Sequence, residues 1–177
     1  SLELPKGFNK LISITSKKIG ESYEFEIVAR DQVGLLSAIA GVLTINRLNL
    51  RSAKTRSIGD FAVGKWIAHS DIEIEIPKNE VLEDQVLRAL KGELDLQKRI
   101  DDRISQYRKT PGILTPPTVV TASNDIASSA TVLEVKMHDR PGILYSVSKS
   151  ISRFGLDIKA VVITTLGAEA FDTLYLT

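Results

Sequence analysis

Phe25, Ile27 and Ala29 alternate with Glu24, Glu26 and Val28, and Leu133, Val135 and Met137 alternate in the same way further on. A period of two places one set of side chains on one face, the signature of a half-buried strand. Each run then changes to a helical period, with apolar residues at 35, 36, 39, 42 and 43, and again at 143, 144, 147 and 151. Asn46-Arg47 and Phe154-Gly155 break that period, Gly155 suiting a helix C-terminus. Second strands are predicted over 48–57 and 156–165. Turns follow at "IGDF" and "LGAEAF", then third strands over 61–70 and 170–176.

The two runs are copies. Shifted by 108 residues, "FEIVARDQVGLLSAIAGVLTINRLNL" (25–50) falls without a gap on "LEVKMHDRPGILYSVSKSISRFGLDI" (133–158). Asp31 meets Asp139, Gly34 meets Gly142, Leu36 meets Leu144, Leu48 meets Leu156 and Gly59 meets Gly167. An ungapped match that keeps the same loop residues points to duplication.

Beyond the third strand the copies diverge. The first continues through "DIEIEIP" into a helix over 79–91, with apolar residues at 82, 86, 87 and 90. After Gly92 comes a second helical stretch (94–108) carrying Leu96, Ile100, Ile104 and Tyr107 on one face. "TPGILTPP" stops any helix, and "TVVTA" (118–122) is expected to return as a strand that closes the first unit. This divides the chain into an N-terminal linker or strand (1–22), a first domain with an extra helix (23–124), and a second domain (125–177) truncated after its third strand. The fold class is α+β, with antiparallel sheets bearing helices on one face. The missing parts of the second unit would leave Val135, Val161 and Leu174 bare, so cover is expected from the other unit, the 94–108 helix or a second chain.

Composition narrows the function. The 177 residues are 43% hydrophobic and 25% charged, and carry a net charge of +1. No large positive field is available to draw in nucleic acid or an anionic membrane. The absence of cysteine excludes disulfides and thiolate chemistry, and two histidines make a histidine-based metal site improbable without carboxylates. No apolar run approaches membrane-spanning length, and the chain reads as cytoplasmic. Its first and last residues read as those of a piece of something longer.

A β-α-β-β-α-β unit with "DRPGIL" between first strand and helix, then "GLDI" at the second strand, resembles the ACT domain, a family of amino-acid-binding regulatory modules. With "GAEAFDTLY" and the tandem spacing, residues 20–177 are similar to the C-terminal ACT pair of enzymes that modify the nitrogen-signalling protein PII. These are bifunctional uridylyltransferase/uridylyl-removing enzymes. The resemblance implies tandem ferredoxin-like ACT domains that sense L-glutamine, pairing within the chain or as a homodimer. It also implies a magnesium-dependent nucleotidyltransferase and a phosphohydrolase elsewhere in the parent. Neither is encoded here: no Gly-Ser followed by an Asp-x-Asp pair appears, nor a second His/Asp cluster. The first unit departs from the pattern at Val33, where the family has proline.

The adjacent His138 and Asp139 invite a metal-hydrolase reading, but neighbouring strand residues face opposite ways and no further ligands stand nearby. A backbone site has a clearer mechanism. Pro141 suits a first helical turn, and the N–H groups of Gly142, Ile143 and Leu144 would be free to meet an anion such as an amino-acid carboxylate. Gly142 leaves room for the approach. Asp139 is placed to accept from an α-ammonium, with Asp157 at the start of the neighbouring strand. Asp31, Gly34, Leu35 and Asn49 form the matching second site. The competing reading is a helix cap with two solvated aspartates. Trp66 is expected in the core or at a domain contact, and His69 at a strand end. Alternatives for the whole chain are the amino-acid-binding region of another metabolic enzyme, a structural dimerisation module, and, last, an RNA-recognition domain lacking the basic stripe it would need.

Overall fold

The computed structural model describes residues 2–70, 72–73, 75–106, 114–125 and 129–177. Strands β1 (Ile12–Ile19) and β2 (Ser22–Arg30), helix α1 (Leu35–Ile45), and strands β3 (Leu48–Ile58) and β4 (Phe61–Ser70) build the first half. Helices α2 (Asn79–Leu90) and α3 (Leu96–Ser105) follow. Strands β5 (Val119–Asp125) and β6 (Ala130–His138), helix α4 (Ile143–Arg153), and strands β7 (Ile158–Leu166) and β8 (Glu169–Leu176) build the second half. Every adjacent strand pair is antiparallel, and the order is β1-β2-β4-β3-β7-β8-β6-β5. This is the α+β architecture the periodicity predicts, in the tandem ferredoxin-like form the resemblance implies, with both sheets merged into one of eight strands.

The merger occurs where β3 pairs with β7, from Ser52 opposite Thr164 to Arg56 opposite Ala160. One expectation fails here. The strand at 118–122 does not return to the first unit; β5 pairs with β6 at the far edge of the second half. The place it was to take beside β2 is held by β1, from within the N-terminal segment 1–22 expected as linker or strand. Each half is therefore closed by the strand that precedes it in sequence, joined by a short hairpin, which needs far less loop than a return across two helices.

Phe25, Ile27 and Ala29 on β2 pack with Trp66 and Ala68 on β4 and with Leu35, Ile39, Val42 and Leu43 on α1 in one core. That core runs without interruption into Val135, Val161, Leu174 and Leu176 of the second half, all buried. The cover expected for Val135, Val161 and Leu174 is thus present within the chain, from α4, through Leu144, Tyr145 and Ile151, and from the first half. Helix α1 is the hub, in contact with α2, α3 and α4. At Gly41 a Cβ would lie 2.8 Å from Leu96 and 3.0 Å from Tyr145, so glycine is what lets α3 and α4 meet α1. Asp95 caps α3 by accepting from the Lys98 N–H at 3.1 Å. Ile100 is fully buried on that helix; Tyr107, with the rest of 107–113 and residues 126–128, lies outside the described residues.

Candidate functional site

The β2–α1 and β6–α4 connections are each a tight turn containing glycine. The N–H of Leu35 donates to the Gln32 carbonyl at 3.2 Å, and that of Ile143 to the Arg140 carbonyl at 3.3 Å. Gly34 (φ 86, ψ −2) and Gly142 (φ 77, ψ 7) occupy the third position. These are type II turns, which need positive φ there and accept proline just before it. Pro141 therefore belongs to the turn and not to the first turn of α4, and the Ile143 N–H is already engaged. Asp31 and Asp139 immediately precede the two turns, their N–H groups donating to the carbonyls of Asp60 and Ala168 at 2.8 and 2.9 Å.

The residues proposed from sequence do not gather as they were grouped. Because β3 and β7 run antiparallel, each turn faces the other half of the chain. Asp31, Gly34 and Leu35 share a cleft with Asp157 and Lys159, and with Arg56, Ser57 and Trp66. Asp139, Gly142, Ile143 and Leu144 share another with Asn49, Thr44, Thr165 and Asp172. Asp157 and Asn49 have thus exchanged partners relative to the sequence grouping. Neighbourhood within one repeat was legible; the crossing between repeats was not.

The two clefts differ electrostatically. In the first, the Ser57 hydroxyl donates to Asp31 at 2.6 Å, and Lys159 meets Asp157 at 2.6 Å. The hydrogen bond and charge of Asp157, with a smaller contribution from Asp31, raise the Lys159 pKa. In the second, Asp172 is only 2% exposed, and neither carboxylate oxygen meets a hydrogen-bond donor among the described residues. Burial, and then the charge of Asp139, push its pKa up to about 7. The Trp66 indole N–H, fully buried, likewise has no acceptor among the described residues.

These two orphans occupy related places. In the repeat, Asp172 corresponds to Gly64, and a Cβ at Gly64 would lie 2.7 Å from Trp66 Nε1. The first cleft holds an indole N–H where the second holds a carboxylate. Sequence reading missed Asp172. The signal was there: a charged residue in the inward series Ala170, Asp172, Leu174, Leu176.

Gly142 is less open than its lack of a side chain suggested. A Cβ there would lie 2.8 Å from Ile100 of α3, whereas one at Gly34 would meet only Ser37 Oγ, at 4.0 Å. Among the described residues, no group of three His, Cys, Asp or Glu side chains could hold a metal, and no helix is long and apolar enough to cross a membrane. His69 lies near the end of β4, its Nδ1 3.2 Å from the Glu21 carbonyl.

Two ferredoxin-like halves fused along a shared seam, with a cleft under each helix-opening turn, define a tandem module consistent with a pair of ACT domains. The relatives give it a setting. The chain is 32% identical over 161 residues to the bifunctional uridylyltransferase/uridylyl-removing enzyme of Streptomyces coelicolor, covering 87% of this chain and 19% of that protein. The enzyme of the same name from Gluconobacter oxydans is 34% identical over 158 residues, 86% of this chain and 16% of the relative. That from Bradyrhizobium diazoefficiens is 28% identical over 183 residues, 99% of this chain and 18% of the relative. The chain is homologous to a segment of these enzymes and spans under a fifth of their length. No family model matches the chain, and no solved structure matches it significantly.

Proposed function

We propose that this chain is the amino-acid-sensing region of a PII-modifying uridylyltransferase/uridylyl-removing enzyme, and that its effector is L-glutamine. The observation that carries the reading is the composition of the clefts. Each is built from both halves of the chain, so a ligand bound there changes how the halves sit on one another. A ligand with different affinity for two such arrangements shifts their populations by its binding difference, typically about 1–3 kcal/mol. Similarity to segments of enzymes that add and remove uridylyl groups supports this setting.

The second cleft suits glutamine better. Asp139 offers an acceptor for the α-ammonium, Arg140 a cation for the carboxylate, and Asn49, Thr44 and Thr165 a neutral donor–acceptor set for the amide. Glutamate is disfavoured because its second carboxylate would replace the amide at Asn49, Thr44 and Thr165, and among the described residues no cation besides Arg140 lines the cleft. Two or three charge-assisted hydrogen bonds, offset by ordering and desolvation, correspond to a dissociation constant between roughly micromolar and millimolar.

Titration calorimetry with glutamine, glutamate and the other amino acids tests this. Glutamine should give saturable heat and glutamate little. No heat from glutamine at millimolar concentrations would overturn the assignment. In the same reading, nucleotidyl transfer to PII and its reversal, with their magnesium requirement, belong to the parent enzyme. Turnover of PII by this chain alone, with magnesium and UTP supplied, would contradict it.

A further inference from the structure

Asp172 has no evident structural reason to be a carboxylate. Its neighbours across the ladders are Val135 and Ile163, and the residues on either side of it in the inward series are Ala170 and Leu174. A leucine or valine would pack there without the cost of an unpaired buried acid. Yet it lines the cleft under the 140–143 turn, with Asp139 on the same wall.

We propose that Asp172 is the buried counter-charge for a primary ammonium group in this cleft, and that ligand binding expels a proton from it. The proposal rests on the amino-acid reading above and adds the group that recognises the ammonium. In the free protein burial and the charge of Asp139 hold the acid about half protonated at neutrality and largely protonated below it. An arriving ammonium offers three donors to two carboxylates that otherwise repel, so Asp172 ionises and its proton leaves to solvent. The other charged residue lining the cleft is Arg140, while α1, β3 and β7 contribute Thr44, Asn49, Leu50, Ile163 and Thr165. Helix α3, whose Ile100 lies against Gly142, carries Arg103, half-buried. The first cleft has Gly64 at the corresponding place and should show no such coupling.

The test is titration of the whole chain with glutamine at pH 6.5 in two buffers of different ionisation heat, phosphate and imidazole. The wild type should release a large fraction of one proton per glutamine bound, and its affinity should rise from pH 6 to pH 8. Asp172→Asn should bind at least tenfold more weakly and release no proton, with its fold checked by circular dichroism. If Asp172→Asn binds within twofold of wild type, or still releases the proton, the inference is wrong while glutamine sensing stands. If the variant fails to fold, the wild-type proton count decides alone, and a count of zero overturns the proposal. If wild-type chain binds no amino acid, the sensing reading fails and this inference with it.

Discussion

Lys54 pairs across the β3–β7 seam with Val162, its own counterpart 108 residues later. Ala53 pairs with Ile163 and Thr55 with Val161, so the exchange is symmetric about that pair. A local two-fold axis therefore passes between Lys54 and Val162, and it carries the first turn onto the second. Each turn is brought against the other half by this register alone. A one-residue slip at the seam would turn Ala53 and Ile163 away from the core.

The turn glycines should differ in what they tolerate. Alanine at Gly34 meets only the positive φ and should cost about 1 kcal/mol. Alanine at Gly142 adds a clash with Ile100 and should cost a further 1–3 kcal/mol or so, as overpacking does. Valine at 142 will not spare the fold either. Urea melts of both variants, and of Gly142→Ala combined with Ile100→Ala, test this. The combination should destabilise less than the sum of its parts, and strict additivity would refute the contact.

Asp172 should make stability fall as pH rises. Its folded pKa of about 7 lies above the ordinary 3.8, so between those values the native state keeps a proton the unfolded chain has lost. The penalty is absent below about pH 4 and complete above pH 7, at most roughly 4 kcal/mol. Asp172→Asn should therefore match wild type near pH 4 and exceed it at pH 8. A difference that does not change with pH would count against the buried acid.

Gly64 should be intolerant although its φ is ordinary. A methyl group there would stand 2.7 Å from Trp66 Nε1 and 2.8 Å from Thr55 Cγ2. Gly64→Ala should cost about 1–3 kcal/mol, and Trp66→Phe should recover part of it by vacating that space. Failure of the phenylalanine to rescue, in chemical denaturation, would mean the clash is not what limits this position.

Arg47 has φ 61 at the place where the second half has Gly155, φ 72. Both follow the last turn of a helix, where a left-handed residue is usual and glycine carries no steric cost. Arg47→Gly should raise stability by about 1 kcal/mol, read as a higher urea midpoint with unchanged slope.

Most of the fold was legible because period-2 and period-3.6 patterns are local. β2, β3, β4, both turn-opened helices and the 59 and 167 hairpins lie within a few residues of where the pattern puts them. The partner of β5 was not legible, because a strand's pattern states which face is buried and not which edge it joins. Asp31, Asp139, Gly34 and Gly142 could be named as candidates from their place at a strand-to-helix turn. Asp172 was overlooked because its meaning depends on the apolar core around it, and Asp157 was misassigned because its cleft is completed by a turn more than 100 residues away.

In a two-fold homodimer every substitution is made twice, so both clefts must change together. Joining the halves in one chain removes that restriction. Gly64 and Trp66 on one side, Asp172 and Leu174 on the other, are the trace of a broken symmetry: one cleft has kept a donor and the other an acid. A single polypeptide can thereby give its two clefts different chemistries across one symmetric seam.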